Sequence, residues 1–281
     1  MWDGTTNVGR LVPRRAISSA SERGTTILAL SVPERLLQRL DLLGEVLAAR
    51  ADAIALIGHG SVGVDLYRLD DHSDLDFFVI VDDGAKQRYL DSIDWLEVVA
   101  PIEFSFPNSV DGRKVLFSDM LFAEYAVFTL DELRAGSFPP GRLVWARADA
   151  PAGLERSGSL PGPSPYDYPE YHVNEAVTNL YVGLHRDARG ERLAATRLIQ
   201  QHAVDRLLTY LELTTPGTAR QDLFALERGA ESRFGSNVLP LSEIVVGYDR
   251  NREAALVILE WLEARVDVDR TLAAEIRRLA G

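Results

Sequence analysis

No cysteine occurs among the 281 residues. Its absence excludes disulfides, thiolate metal sites and cysteine nucleophiles, and fits a reducing, cytoplasmic setting. Lysine is nearly absent too: Lys86 and Lys114 are the only two, and every other basic side chain is arginine. No run of about 18 uncharged apolar residues is present, so neither a membrane span nor a membrane partner is expected. The N-terminal stretch carries Arg14-Arg15 but lacks the apolar segment of a secretion signal. Positive charge is in short supply as well, with 42 acidic against 30 basic side chains and a net charge of −12. Such a field disfavours nucleic-acid partners and favours a cationic ligand.

What is present is the composition of a globular protein, 46% hydrophobic and 26% charged, with length for one large domain or two ordinary ones. Residues 1–27 read as a loose extension. Residues 32–50 place Leu36, Leu37, Leu40, Leu43 and Val46 at helical spacing. A buried strand is expected at Ala53–Ile57, a short helix or turn from Gly60 to about Leu69, a strand at Asp74–Val81 and a helix at Ala85–Leu96. Further strands are expected over 98–106, 114–117, 121–129 and 143–147, with Pro107, Asn108, Asp111 and Gly112 marking a hairpin. The Pro-, Gly- and Ser-rich stretch 151–168 reads as a linker. From residue 169 to 281 the pattern is all helical, including 170–186, 191–213 and 251–266. The expected class is α+β: residues 28–150 form a small mixed sheet flanked by helices, followed by a helical bundle at 169–281.

The chemistry concentrates at LIGHGSVGVDLYRLDDHSDLDFFVIV, residues 56–81. Asp74 and Asp76 lie two apart at the head of a strand, so their side chains share a face while Leu75 points into the core. Two neighbouring carboxylates both stay ionised when a cation neutralises them. Mg²⁺ suits that role, because it takes oxygen ligands and is commonly held by one or two carboxylates plus substrate phosphates. Thirteen residues upstream of Asp74, Gly60-Ser61 follows a buried strand, and a turn of this kind can receive a triphosphate on its N–H groups and hydroxyl. A second Asp-x-Asp at Asp267–Asp269 has no such partner. Arg68 is a candidate for gripping the phosphates. His59 reads equally as a substrate contact or as an exposed turn residue. Asp65, Asp70, Asp71 and His72 read as solvated.

Strand, Gly-Ser, about a dozen residues and Asp-x-Asp on the next strand resemble the polymerase-β-type nucleotidyltransferase superfamily. Within it, the lincosamide and aminoglycoside nucleotidyltransferases are the nearest likeness. The segment DWLEVVAPIEFSFPNSVDGRKVLFSDMLFAEYAVF, residues 94–128, is similar to the family stretch in which a VAP strand leads through a hairpin to a glutamate-bearing strand. Strand periodicity by itself leaves open whether Glu103 or Glu124 faces a cleft. The resemblance implies Glu124 as the catalytic base, one or two Mg²⁺ ions on Asp74 and Asp76, and ATP or another NTP held at Gly60, Ser61 and Arg68.

The resemblance further implies transfer of a nucleoside monophosphate, AMP by expectation, to a hydroxyl of a small and cationic acceptor of the lincosamide or aminoglycoside type, inactivating the drug. It also implies pairing into a homodimer. Glu103 and the helical face of Tyr171, Asn174, Thr178 and Tyr181 are candidates for lining the acceptor cleft. Two alternatives stand beside this one: an acceptor that is a protein or RNA end, and a nucleotide-binding regulator without transferase activity.

Overall fold

The computed structural model describes residues 30–158, 164–215, 225–235 and 238–281. The extension expected over 1–27 lies outside the described residues, as do 159–163 of the expected linker. The chain divides into two compact units, Met1–Pro161 and Gly162–Gly281.

The first unit begins with α1 (Val32–Ala48), set by a capping box. Ser31 Oγ accepts from the Glu34 N–H at 3.4 Å, and the Glu34 carboxylate accepts from the Ser31 N–H at 2.9 Å. Leu36, Leu40, Leu43 and Leu47 recur every three or four residues and are all fully buried. Six strands follow: β1 (Ala53–Gly58), β2 (Leu75–Val81), β3 (Ile102–Pro107), β4 (Gly112–Phe117), β5 (Phe122–Thr129) and β6 (Arg142–Ala146). They form one sheet in the order β3-β4-β5-β2-β1-β6. Every pairing is antiparallel except β2 with β5, so the sheet is mixed and the class is α+β. Short helices α2 (Lys86–Asp91), α3 (Asp94–Glu97) and α4 (Leu130–Ala135) complete the unit.

The sheet buries its two faces unequally. On one, α1, α2 and α3 contribute to a core containing Leu75, Phe77, Val79, Tyr89, Trp95, Val115, Phe117 and Tyr125. Phe77 and Tyr125, cross-strand partners on β2 and β5, stack with ring centroids 5.4 Å apart and planes within 9°. Trp95 meets Tyr125 edge-on at 5.3 Å. The other face is covered by Leu133, Phe138 and Leu154 over Ile54, Ile57, Phe78, Ile80 and Phe128. Its β3–β4 end carries the exposed side chains Phe104 and Phe106.

Over 60–69 the turn alternative holds, the helix expected over 85–96 divides, and one strand starts late. Over 60–69 the chain makes two 3₁₀ turns, Gly60–Val62 and Leu66–Arg68. Gly60 has φ +56°, outside the right-handed region, and a Cβ at Gly63 would lie 2.6 Å from the Gly58 carbonyl. The helix over 85–96 divides because Ser92 is extended. The strand expected from Val98 starts only at Ile102.

The second unit contains α5 (Pro169–Ala188), α6 (Arg192–Thr196), a π-helical segment (Arg197–His202), α7 (Ala203–Thr214), α8 (Ala230–Phe234), α9 (Leu241–Ile244), α10 (Asn251–Glu263) and α11 (Arg270–Ala280). Leu180, Leu184, Ile199, Leu207, Ile258, Leu262 and Ile276 lie in its core. The continuous helix expected over 191–213 is interrupted by the π-helical segment, which carries the buried Gln200. Gln200 accepts from the Val246 and Gly247 N–H groups and donates to the Gly247 carbonyl and Asn251 Oδ1, all within 3.0 Å. The second Asp-x-Asp is structural at Asp269, whose carboxylate caps α11 by accepting from the Leu272 N–H at 2.8 Å. Among the described residues no helix is long and apolar enough to cross a membrane.

Phe77→Ala is expected to cost about 3–5 kcal/mol, read as a lower urea midpoint, because the deletion empties the centre of the stacked cluster.

Candidate functional site

The site is built by register. Parallel pairing of β2 with β5 sets Asp76 directly beside Glu124. Side chains of paired residues share a face, and both carboxylates lie on the face opposite Phe77 and Tyr125. Antiparallel pairing then sets Lys114 beside Glu124 and Phe106 beside Lys114. Phe106, Lys114, Glu124 and Asp76 thus form one row across four strands. At the Asp76 end the row meets β1, where the His59 N–H donates to the Asp76 carbonyl at 2.8 Å.

Gly60 closes that end. A Cβ built on Gly60 would sit 3.4 Å from Asp76 Oδ2, so the Gly60-Ser61 turn lies against this carboxylate. The left-handed φ of Gly60 suits glycine. Arg142 on β6 steadies the turn from the neighbouring strand, its Nε donating to the Val62 carbonyl at 3.0 Å. Beside it opens a depression of about 460 Å³ lined by Gly63, Val64, Leu66, Gly141, Arg142, Leu143 and Glu155.

Glu124 is held from both sides. Its Oε1 accepts from Asn108 Nδ2 at 2.6 Å, and its Oε2 lies 3.1 Å from Lys114 Nζ. A carboxylate has about four acceptor positions, so these contacts leave room for a further donor. Asp74 immediately precedes β2 and is partly buried. Among the described residues no three His, Asp or Glu side chains are arranged to hold a metal ion. Asp74, Asp76 and Glu124 therefore do not make a preformed three-carboxylate cage, since Glu124 is engaged by Asn108 and Lys114.

The other sequence candidates fall elsewhere. Arg68 pairs with Asp65, Nη2 to Oδ2 at 2.9 Å. Glu103 is exposed at an irregularity between Ile102 and Phe104, on the outermost strand and two strands removed from Glu124. Tyr171, Asn174 and Tyr181 lie on α5 in the second unit. There Tyr171 stacks on Tyr166 at 5.2 Å and Tyr181 meets His185 edge-on at 4.6 Å.

His59 is not the exposed turn residue that one of its two readings expected. Its ring is buried, 4.1 Å from Phe78 and 5.9 Å from Phe138. Neither ring nitrogen has a hydrogen-bond partner. Burial is the larger influence and holds its pKa down at about 4, while the Pro139 backbone nearby, though too poorly placed for a well-formed hydrogen bond, acts in the opposite sense.

Sequence reading missed Lys114, Asn108 and Arg142. The rarity of lysine was a signal for Lys114. Asn108 read only as hairpin punctuation, and nothing local marked Arg142.

No family model matches the chain, and no curated protein matches it. Several solved structures are similar, three of them at 13% identity each. One is an aminoglycoside 6-adenyltransferase from Bacillus subtilis, with TM-score 0.27 over 87% of this chain and 90% of that one. Another is a Thermotoga maritima CCA-adding enzyme complexed with tRNA, with TM-score 0.35 over 91% and 72%. The third is a STING-associated CdnE c-di-GMP synthase from Capnocytophaga granulosa, with TM-score 0.29 over 91% and 81%. Likenesses this low establish neither fold nor activity for this chain.

His59 makes stability pH-dependent. Its native pKa of about 4 lies below the unfolded value of about 6.5, so the unfolded chain binds the extra proton first as pH falls. The wild type should therefore lose roughly 3 kcal/mol more than His59→Phe between pH 7 and pH 4, measured by urea unfolding of both. Equal losses would contradict a buried neutral imidazole.

Proposed function

We propose that the chain is a Mg²⁺-dependent nucleotidyltransferase that moves a nucleoside monophosphate, AMP by preference, from an NTP to a hydroxyl of a small molecule. One observation carries this reading: the register that sets Asp76 beside Glu124, with the Gly60 turn against Asp76. A turn for phosphate, a carboxylate beside it and a second carboxylate one strand further on are the parts such a transfer needs, in the order it needs them.

The donor set fits the metal. Asp74 and Asp76 offer hard oxygen ligands, and one or two carboxylates with substrate phosphates suffice for Mg²⁺. When bound, the ion would offset negative charge on the α-phosphate and the departing pyrophosphate. The protein's own groups do the rest. Gly60 and Ser61 orient the triphosphate, and Arg142 keeps their turn in place. Glu124 takes the proton of the acceptor hydroxyl as its oxygen forms a bond to the α-phosphorus, while the bond from that phosphorus to pyrophosphate breaks. Asn108 and Lys114 hold Glu124 in one orientation for this step, which removes a reorganisation cost.

A lincosamide- or aminoglycoside-type antibiotic is the acceptor class the sequence resemblance supports, with drug inactivation as the result. Pairing of two copies belongs to the same proposal. The Lys114 and Asn108 contacts on Glu124 favour a second reading, nucleotide binding without turnover, because both carboxylate oxygens already have partners.

Labelled ATP, Mg²⁺ and a panel of lincosamides and aminoglycosides should yield pyrophosphate and a nucleotidylated product. Asp76→Asn and Glu124→Gln should each lower turnover about a hundredfold or more with unchanged circular dichroism. Binding of Mg-ATP with no turnover over a broad hydroxyl panel would favour the second reading, and no nucleotide binding would overturn both.

A further inference from the structure

The row across the sheet continues past Glu124 and Lys114 into apolar side chains. Beyond Lys114 comes Phe106, 41% exposed, and two residues along β3 comes Phe104, 53% exposed. Their rings are 5.5 Å apart and tilted by 51°. The next row on the same face pairs Phe104 with Leu116 and Leu116 with Phe122, the latter two partly buried. Four apolar side chains, three of them aromatic, therefore form a continuous patch beside the carboxylates. Phe104 and Phe106 point away from the core that holds Val115 and Phe117. Exposed aromatic area of this kind marks a recognition surface when it adjoins a polar site.

We propose that this patch is the acceptor platform, and that the acceptor presents an uncharged aromatic ring next to the hydroxyl that reacts. The proposal rests on the transferase reading above, and the order of groups along the row gives it direction. In an in-line transfer the attacking hydroxyl approaches the α-phosphorus from the side opposite the departing pyrophosphate. With the triphosphate end at Gly60, beside Asp76, the opposite side is that of Glu124, Lys114 and Phe106. Strand spacing puts Phe106 about 14 Å from Asp76, a span of two or three linked rings.

Charge narrows the class further. Lys114 is 3.1 Å from Glu124 and neutralises it locally. A polycation lying along β3–β4 would meet Lys114, and the carboxylate beside it, Glu124, is already paired with that lysine. The chain's overall negative charge does not offset this, because exposed charges beyond about 10 Å are screened. A ring stacked on Phe106 gains from burial and from C–H or π contact instead.

The test compares phenyl β-D-glucopyranoside with methyl β-D-glucopyranoside as probes of the full-length protein, by saturation-transfer NMR titration in the presence of Mg²⁺ and a non-hydrolysable ATP analogue. The phenyl probe should bind about tenfold tighter than the methyl probe. The double variant F104S/F106S should remove that preference while leaving affinity for the ATP analogue within about twofold. Both phenylalanines are exposed, so the variant is expected to fold, and circular dichroism checks this; F106L, which should keep part of the preference, serves as the milder variant. No phenyl preference in the wild type, or a preference that survives F104S/F106S, overturns the platform. If F104S/F106S instead weakens the ATP analogue, the patch holds the nucleobase and the proposal fails. If it converts a dimer to a monomer in sedimentation velocity, the patch is an interface between copies, which also overturns it. A phenyl preference without any nucleotide binding would leave the platform standing and sink the transferase reading, so the two can fail separately.

Discussion

Everything at the candidate site depends on the register between β2 and β5, and that register is held by the stack of Phe77 on Tyr125. The two rings are cross-strand partners in the buried face, with Trp95 closing the cluster edge-on. A slip of one residue along either strand would send a ring to the opposite face and a carboxylate into the core. Both errors are expensive, since burying an unpaired carboxylate costs several kcal/mol. The apolar side of the sheet therefore positions the polar side: Asp76 and Glu124 are neighbours because the residues that follow them cannot be anywhere else.

The register also explains the layout of charge. Each strand step along the row changes chemical character, from the Gly60 turn to Asp76, Glu124, Lys114 and Phe106. A cation on one side of Glu124 and a carboxylate on the other give it a defined orientation without burying it. On the other side of Asp76, the buried His59 ring packs near Phe78 and Phe138. Its backbone, rather than its imidazole, serves the site by pairing with the Asp76 carbonyl. A histidine between two glycines suggests an exposed turn residue, and its burial overrides that reading.

Much of the fold was legible from patterns with a local cause. Helix α1 follows from its leucine spacing and the Ser31–Glu34 box, and the strands follow from apolar alternation punctuated by glycine and proline. The misses came where local pattern competes with longer-range demands. The helix expected over 191–213 has the right periodicity, yet the π-helical segment places Gln200 where it satisfies backbone groups some 46 or 47 residues away. Over 60–69 local pattern left a short helix and a turn both open, and the turn follows from the conformation of Gly60 and the close approach at Gly63. Asn108 and Arg142 were invisible as site residues because their roles consist of contacts with Glu124 and the Val62 carbonyl, which no local pattern encodes.

Residue type and spacing alone determined that Asp74 and Asp76 stand at the head of a buried strand, that a Gly-Ser turn precedes them, and that a helical region follows a mixed one. Such facts depend on periodicity and backbone preference, which act over a few residues. Which glutamate joins them was decided by tertiary structure. Glu103 and Glu124 both sit in apolar strands, but only Glu124 lies on the strand that pairs with β2. Strand order is a property of the whole sheet, fixed by which apolar faces can be buried together, and so it cannot be read from either strand alone.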